Sequence, residues 1–147
     1  MSLLAHHHAR RLAALTGRPP LIWQEDNPAI TYGNGSWVPF YPALAYGGSA
    51  RYAITNGAAF EFAVPAGYSR CFIEGLRDEN GSFFDVLRNE SPVLNGNSFA
   101  SPARQDVCAE LPVAPGDIVR VVFNGQGLNN YGNGGNNAFY ADQIRFT

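Results

Sequence analysis

Gly47-Gly48-Ser49-Ala50-Arg51-Tyr52-Ala53-Ile54-Thr55-Asn56-Gly57-Ala58-Ala59-Phe60-Glu61-Phe62-Ala63-Val64-Pro65-Ala66-Gly67 is the stretch on which the fold is decided. Tyr52 and Ile54 alternate with small residues before Asn56-Gly57, and Phe60, Phe62 and Val64 alternate after it. Such alternation sends side chains to opposite faces of a strand, and around Asn-Gly it is the strongest short-range hairpin signal. A two-residue loop would pair Thr55 with Ala58 and set Tyr52 opposite Glu61. A three-residue loop, Thr55-Asn56-Gly57 with a left-handed Gly57, instead puts Tyr52 and Ile54 on the face of the three large residues. One face is then apolar and the other carries Ala, Glu and Arg. That is half of a packed sheet, and it points to a β-sandwich.

Short strands and turns continue on both sides, the all-β pattern. Downstream, Ser69–Leu76 and Phe83–Leu87 read as a second hairpin across Asp78-Glu79-Asn80-Gly81, followed by a long loop over Asn89–Ser101. Val107–Val113 is a strand. Pro115-Gly116-Asp117 turns it into Ile118–Phe123, an apolar run interrupted only by Arg120, and Ala138–Phe146 is the last strand. Upstream, Leu21-Ile22-Trp23 and Ile30-Thr31-Tyr32 precede a turn at Gly33–Ser36. Trp37–Phe40 then reads as an edge strand, because Pro39 cannot donate to a ladder. Tyr41 to Gly48 is an aromatic loop.

Residues 1–28 differ from this body and read as an arm, with the sandwich over 29–147. Ser2 can cap a helix over about residues 3–16; Leu4, His8, Leu12 and Leu15 form one stripe, Gly17 ends it, and Pro19-Pro20 forbids continuation. Its first twenty residues hold Arg10, Arg11 and Arg18 and no acid. It does not match a secretory signal, for want of an unbroken apolar core before a small-residue cleavage site. A helix this short needs a surface to cover its stripe. We expect that surface on another subunit, with Leu3, Leu4, Leu12, Leu15 and Trp23 as apolar anchors and Arg10, Arg11 and Arg18 meeting acids.

With 46% hydrophobic and 15% charged residues the chain is globular, and its net charge of −2 argues against a nucleic-acid ligand. No run is long enough to insert in a membrane. Cys71 and Cys108 lie in apolar strands and read as buried thiols, a disulfide being the alternative. His6-His7-His8 point about 100° apart on a helix, so they do not converge on one ion. They are the only histidines, which leaves the body without a His base, and no nucleophile elbow, zinc motif or phosphate loop occurs. Asp78–Ser82 with Asp85 lacks the spacing of a calcium loop and reads as a turn. No catalytic residue, metal site or cofactor is expected. In Asn124–Asn137, eleven of fourteen residues are Asn or Gly around Tyr131. It reads either as a plain surface loop or as a loop whose amides bind a polar ligand such as a sugar.

Three pieces occur in order: Tyr32-Gly33-Asn34-Gly35-Ser36-Trp37, Gly47–Arg51 leading into Gly57–Phe62, and Tyr140-Ala141-Asp142-Gln143-Ile144-Arg145-Phe146. In this the body, from about Ile30 to Thr147, resembles a galactose-binding-like jelly roll, as found in carbohydrate-binding modules and in phage and bacterial surface proteins. The resemblance implies a jelly-roll-type antiparallel sandwich. Its glycan contacts would come from Trp37, Tyr41 and Tyr46 on one loop and Asn129, Asn130, Tyr131 and Asn136 on another, a buried Trp37 being the plainer reading. By architecture, an arm and one sandwich are also similar to decoration (cement) or spike-type proteins of tailed-phage heads. That likeness implies a non-enzymatic virion protein, made in the host cytoplasm and carried on the virion surface. Its arm would dock on capsid or sister subunits, with a trimer favoured. The virion role is the leading expectation here and a carbohydrate-binding module the alternative.

Overall fold

The computed structural model describes residues 18–127 and 138–147. The expected helix, the anchors Leu3, Leu4, Arg10, Arg11, Leu12 and Leu15, and the loop residues Asn129, Asn130, Tyr131 and Asn136 lie outside the described residues.

Short β-branched and aromatic runs broken by Gly, Pro and Asn give twelve strands among the described residues. These are β1 (Leu21–Gln24), β2 (Thr31–Gly33), β3 (Val38–Phe40), β4 (Ala50–Ala53), β5 (Ala59–Ala63) and β6 (Arg70–Arg77), then β7 (Ser82–Arg88), β8 (Ser91–Asn97), β9 (Arg104–Pro112), β10 (Ile118–Gly127), β11 (Phe139–Ala141) and β12 (Gln143–Phe146). They pair antiparallel in three sheets, ordered β1-β12-β6-β9, β2-β5-β10-β7-β8 and β11-β4-β3. Alternation builds the core between them. Phe60, Phe62, Phe84, Val86, Val119, Val121 and Phe123 turn inward from the five-stranded sheet and meet Cys71, Ile73, Leu111, Ile144 and Phe146 of the four-stranded one. The antiparallel β-sandwich read from the sequence is therefore the fold. Pro39 sits in β3, an edge strand as expected, and both cysteines are free, Cys71 fully buried.

The expected hairpins are corrected. β4 pairs with β11 and β3, whereas β5 pairs with β2 and β10, so the strands flanking Asn56-Gly57 lie in different sheets. Gly57 does take φ +86, and Ala58 N–H donates to Thr55 O at 3.0 Å. The turn is then recruited by β10: Gly57 N–H donates to Phe123 O at 2.8 Å and Phe123 N–H to Ala58 O at 2.9 Å. In consequence Ala53, not Tyr52, enters the main core; Ile54 is half exposed, and Tyr52 packs with Leu76, Tyr140 and Phe40 in a satellite cluster. β6 and β7 likewise belong to different sheets, and the turn at Asp78–Gly81 carries the chain between them. The expected loop over 89–101 contains β8, which forms a tight hairpin with β7 through Asn89 and Glu90, both at positive φ. That is the primed turn that suits strand twist.

The chain enters the sandwich at β1, within the stretch assigned to the arm. β1 pairs with β12 from Leu21↔Phe146 to Gln24↔Gln143. Trp23 packs edge-on against Phe146 at 4.9 Å and Phe62 at 6.2 Å, which places this expected anchor on the protein's own core.

Phe139 joins the layers. From β11 its fully buried ring contacts Trp37 at 5.4 Å, Phe84 at 5.5 Å, Phe60 at 5.7 Å and Phe123 at 5.9 Å. Phe139→Ala should cost about 3–5 kcal/mol by urea unfolding. A loss below about 1 kcal/mol would show that the ring cluster is not the joint of the sandwich.

Candidate functional site

The same alternation that fills the core leaves a second face on the five-stranded sheet. Thr31, Glu61, Arg120 and Leu87 are successive register partners across β2, β5, β10 and β7, and all four point away from the core. Gly33, Ala59, Val122, Asp85 and Asn95 form the neighbouring row. Two cavities open on this face. One, of about 620 Å³, is lined by Glu61, Leu87, Asn89, Glu90, Ile118 and Arg120. The other, of about 250 Å³, lies over Thr31, Gly33, Asn34 and Ala59, and shares Glu61 and Arg120 with the first. Together they are of the size that small ligands occupy.

Two kinds of polar group line this groove. Some are fixed: Asn89 donates through Nδ2 to Asp117 at 2.9 Å and accepts from Ile118 N–H at 2.9 Å, and in the neighbouring row, outside both cavities, Asp85 accepts from Asn95 and from Asn124. Glu61 and Arg120 are the others. Although they are cross-strand partners, among the described residues neither forms an ion pair or a hydrogen bond. An acceptor-only carboxylate and a donor-only guanidinium thus stand side by side with their valences open.

A buried polar seam crosses the four-stranded sheet. Gln24 Nε2 donates to Gln143 Oε1 at 3.1 Å, Gln143 Nε2 to Glu74 Oε2 at 2.7 Å, and Arg145 Nε to Glu74 Oε1 at 2.7 Å. At its end Asp142 Oδ2 accepts from Tyr46 N–H and Leu76 N–H, each at 3.1 Å, which ties the aromatic loop to β6. Ser49 Oγ donates to Glu25. Gln24 Oε1, Glu25 Oε2 and Asp142 Oδ1 are buried without a donor among the described residues. Among the described residues no group of three or more His, Cys, Asp or Glu is placed to hold a metal ion. Asp78, in the stretch weighed as a calcium loop, instead accepts from Asn80 N–H at 2.9 Å and from Tyr140 Oη at 2.8 Å.

Of the residues singled out for glycan contact, Trp37, Tyr41 and Tyr46 are among the described residues. Trp37 is half buried, with its ring against Tyr32, Phe60 and Phe139 and its Nε1–H on Gly33 O at 3.3 Å. Tyr41 is 77% exposed, Tyr46 is half buried beside the seam, and no ring contact links the three. Of the arm residues, Arg18 donates to Ala66 O at 3.0 Å and lies over the Tyr68 ring. Glu61, Glu90 and Arg120 were not singled out. The signal for Arg120 was present: a lone cation in an otherwise apolar β-branched run.

No family model matches the sequence, and no curated protein matches it. Solved structures do. The chain is similar to a family 35 carbohydrate-binding module from Clostridium thermocellum, with 17% identity and a TM-score of 0.60 over 86% of this chain and 98% of that one. It is similar also to the CBM36-1 domain of a multidomain xylanase from the hindgut metagenome of Trinervitermes trinervoides, at 11% identity and a TM-score of 0.59, over 88% and 97%. A Paenibacillus xanthan lyase matches at 14% identity and a TM-score of 0.61, through 13% of its own chain and 84% of this one. At these identities the likeness is one of fold, that of carbohydrate-binding-module sandwiches. The virion expectation draws no support from it.

Asp142 gives the seam a pH signature. Burial pushes its carboxyl up to about 7, against the pull of the Tyr46 and Leu76 amides and with a further push from Glu25 and Glu74. The folded chain therefore holds this proton more tightly than the unfolded chain. The group's contribution is largest near pH 4 and falls as pH rises toward about 7, by up to about 1.4 kcal/mol per unit. Thermal unfolding should show the melting temperature dropping between about pH 5 and 7 in the wild type and much less in Asp142→Asn. Parallel curves would refute the assignment; the three histidines, present in both proteins, cancel in the comparison.

Proposed function

We propose that this chain is a non-catalytic glycan-binding domain that takes its ligand on the outer face of the five-stranded sheet. The observation that carries the reading is the open pair Glu61 and Arg120, shared by both cavities. Neighbouring sugar hydroxyls each donate and accept. A carboxylate beside a guanidinium can take from one and give to the next, and such charge-assisted bonds are about twice as strong as neutral ones. Because β5 and β10 are interior strands of the sheet, the two heads sit on a rigid floor and little ordering is needed on binding. The fold likeness to carbohydrate-binding modules adds a prior by analogy.

This reading puts the groove ahead of the stretch from Trp37 to Tyr46, whose Trp37 ring already packs against Phe139. A role as a virion decoration protein rests on arm residues outside the described structure, and Trp23, the one apolar anchor described, serves the core.

The test is a glycan array followed by calorimetry on the hits. Glu61→Gln and Arg120→Gln should each weaken binding by about tenfold or more, the loss expected for one hydrogen bond to a charged group. Both should leave stability within about 0.5 kcal/mol, since neither side chain has a partner to strand. A folded wild type with no hit, or hits that ignore both substitutions, would sink the proposal.

A further inference from the structure

The open pair lies between two cavities rather than at the end of one. Thr31, Glu61, Arg120 and Leu87 span three strand spacings, roughly 14 Å at about 4.8 Å each. A pyranose ring is about as wide as one such spacing, so a single sugar would leave most of the row empty.

Gly33 and Glu90, at opposite ends of the groove, are hard to explain by folding alone. Gly33 lies in β2 without a positive φ, and a Cβ there would meet nothing within 4 Å. Backbone geometry does not require glycine; what the missing side chain leaves is open floor in the smaller cavity. Glu90 is the reverse case. It takes φ +67 in the β7–β8 turn, where an L side chain is disfavoured and Gly or Asn is the usual choice. Its exposed carboxylate lines the larger cavity, with no hydrogen-bond or ion-pair partner among the described residues. A glycine where geometry needs none, and a glutamate where geometry prefers glycine, both make sense beneath a ligand lying along the whole row.

We infer that the two cavities are adjoining subsites for one oligosaccharide laid across the strands, with Gly33 and Glu90 at its two ends and Glu61 and Arg120 at the joint. This rests on the glycan-binding reading. The ligand class is a chain of two or more sugar units, not a single sugar.

Calorimetry with xylo-, cello- and α-1,3-gluco-oligosaccharides, from monosaccharide to hexasaccharide, tests it. In a series that binds, affinity should rise by about tenfold or more between monosaccharide and trisaccharide, about one added hydrogen-bonded subsite. Gly33→Leu, which fills the smaller cavity, and Glu90→Gly, which removes the far carboxylate, should each flatten that rise. Glu90→Gly also relieves the positive-φ side chain and should melt higher than the wild type, so it stays informative if Gly33→Leu folds poorly. Equal affinity for monosaccharide and trisaccharide, or a length dependence that survives both substitutions, would overturn the two-subsite inference and leave the glycan-binding reading standing. No binding in any series would bring down both.

Discussion

The ring of Phe139 is the contact on which the sandwich closes. Its own strand belongs to the small sheet β11-β4-β3, yet its contacts are Phe60, Phe84 and Phe123 on three strands of the five-stranded sheet, and Trp37 just before β3. Ring pairs at these separations add about 1 kcal/mol each to the burial itself. The arrangement also fixes where the chain can go next. After Ala141, Asp142 interrupts the strand, and β12 continues in the four-stranded sheet, where Ile144 and Phe146 reach the main core. A single closing segment thus touches all three sheets. Gly75 permits the interruption, because a Cβ there would lie 2.5 Å from that of Asp142.

Much of this was legible in the sequence, and what was not has two causes. Period-two alternation identified Phe60, Phe62 and Val64 as core residues, and Pro39 marked an edge strand. The turns at Asn56-Gly57 and Asp78–Gly81 are also where they were expected. Turn chemistry states that the chain reverses; it does not state which sheet receives the next strand. That choice is made by distant residues, such as the Phe123 backbone that captures both sides of the Gly57 turn. The tight hairpin at Asn89-Glu90 was invisible for the opposite reason. A glutamate at positive φ is not a turn signal, and the segment read as a loop.

The site divides in the same way. Glu61 stood in the opening stretch on the face assigned to solvent, and Arg120 stood out as the lone charge in its strand. Each alone reads as a solvated strand position; only the pairing of β5 with β10 makes them neighbours. The aromatic residues drew attention because sugars stack on rings, but ring count does not separate a platform from packing. Trp37 shows the difference, with its ring against Tyr32, Phe60 and Phe139.

Strand alternation also explains how one sheet can serve both ends. Along β10, Val119, Val121 and Phe123 are buried while Ile118 and Arg120 face outward, so the groove can change residue by residue without disturbing the core beneath it. The heads of Glu61 and Arg120 remain hydrated when the groove is empty, and that hydration is what a ligand must replace. A polyhydroxyl chain does so with hydroxyls of water-like bonding capacity, whereas an apolar ligand would strand both charges. In the proposed role the open pair would therefore select against greasy ligands as much as it favours sugars, on a floor held by the aromatic joint below.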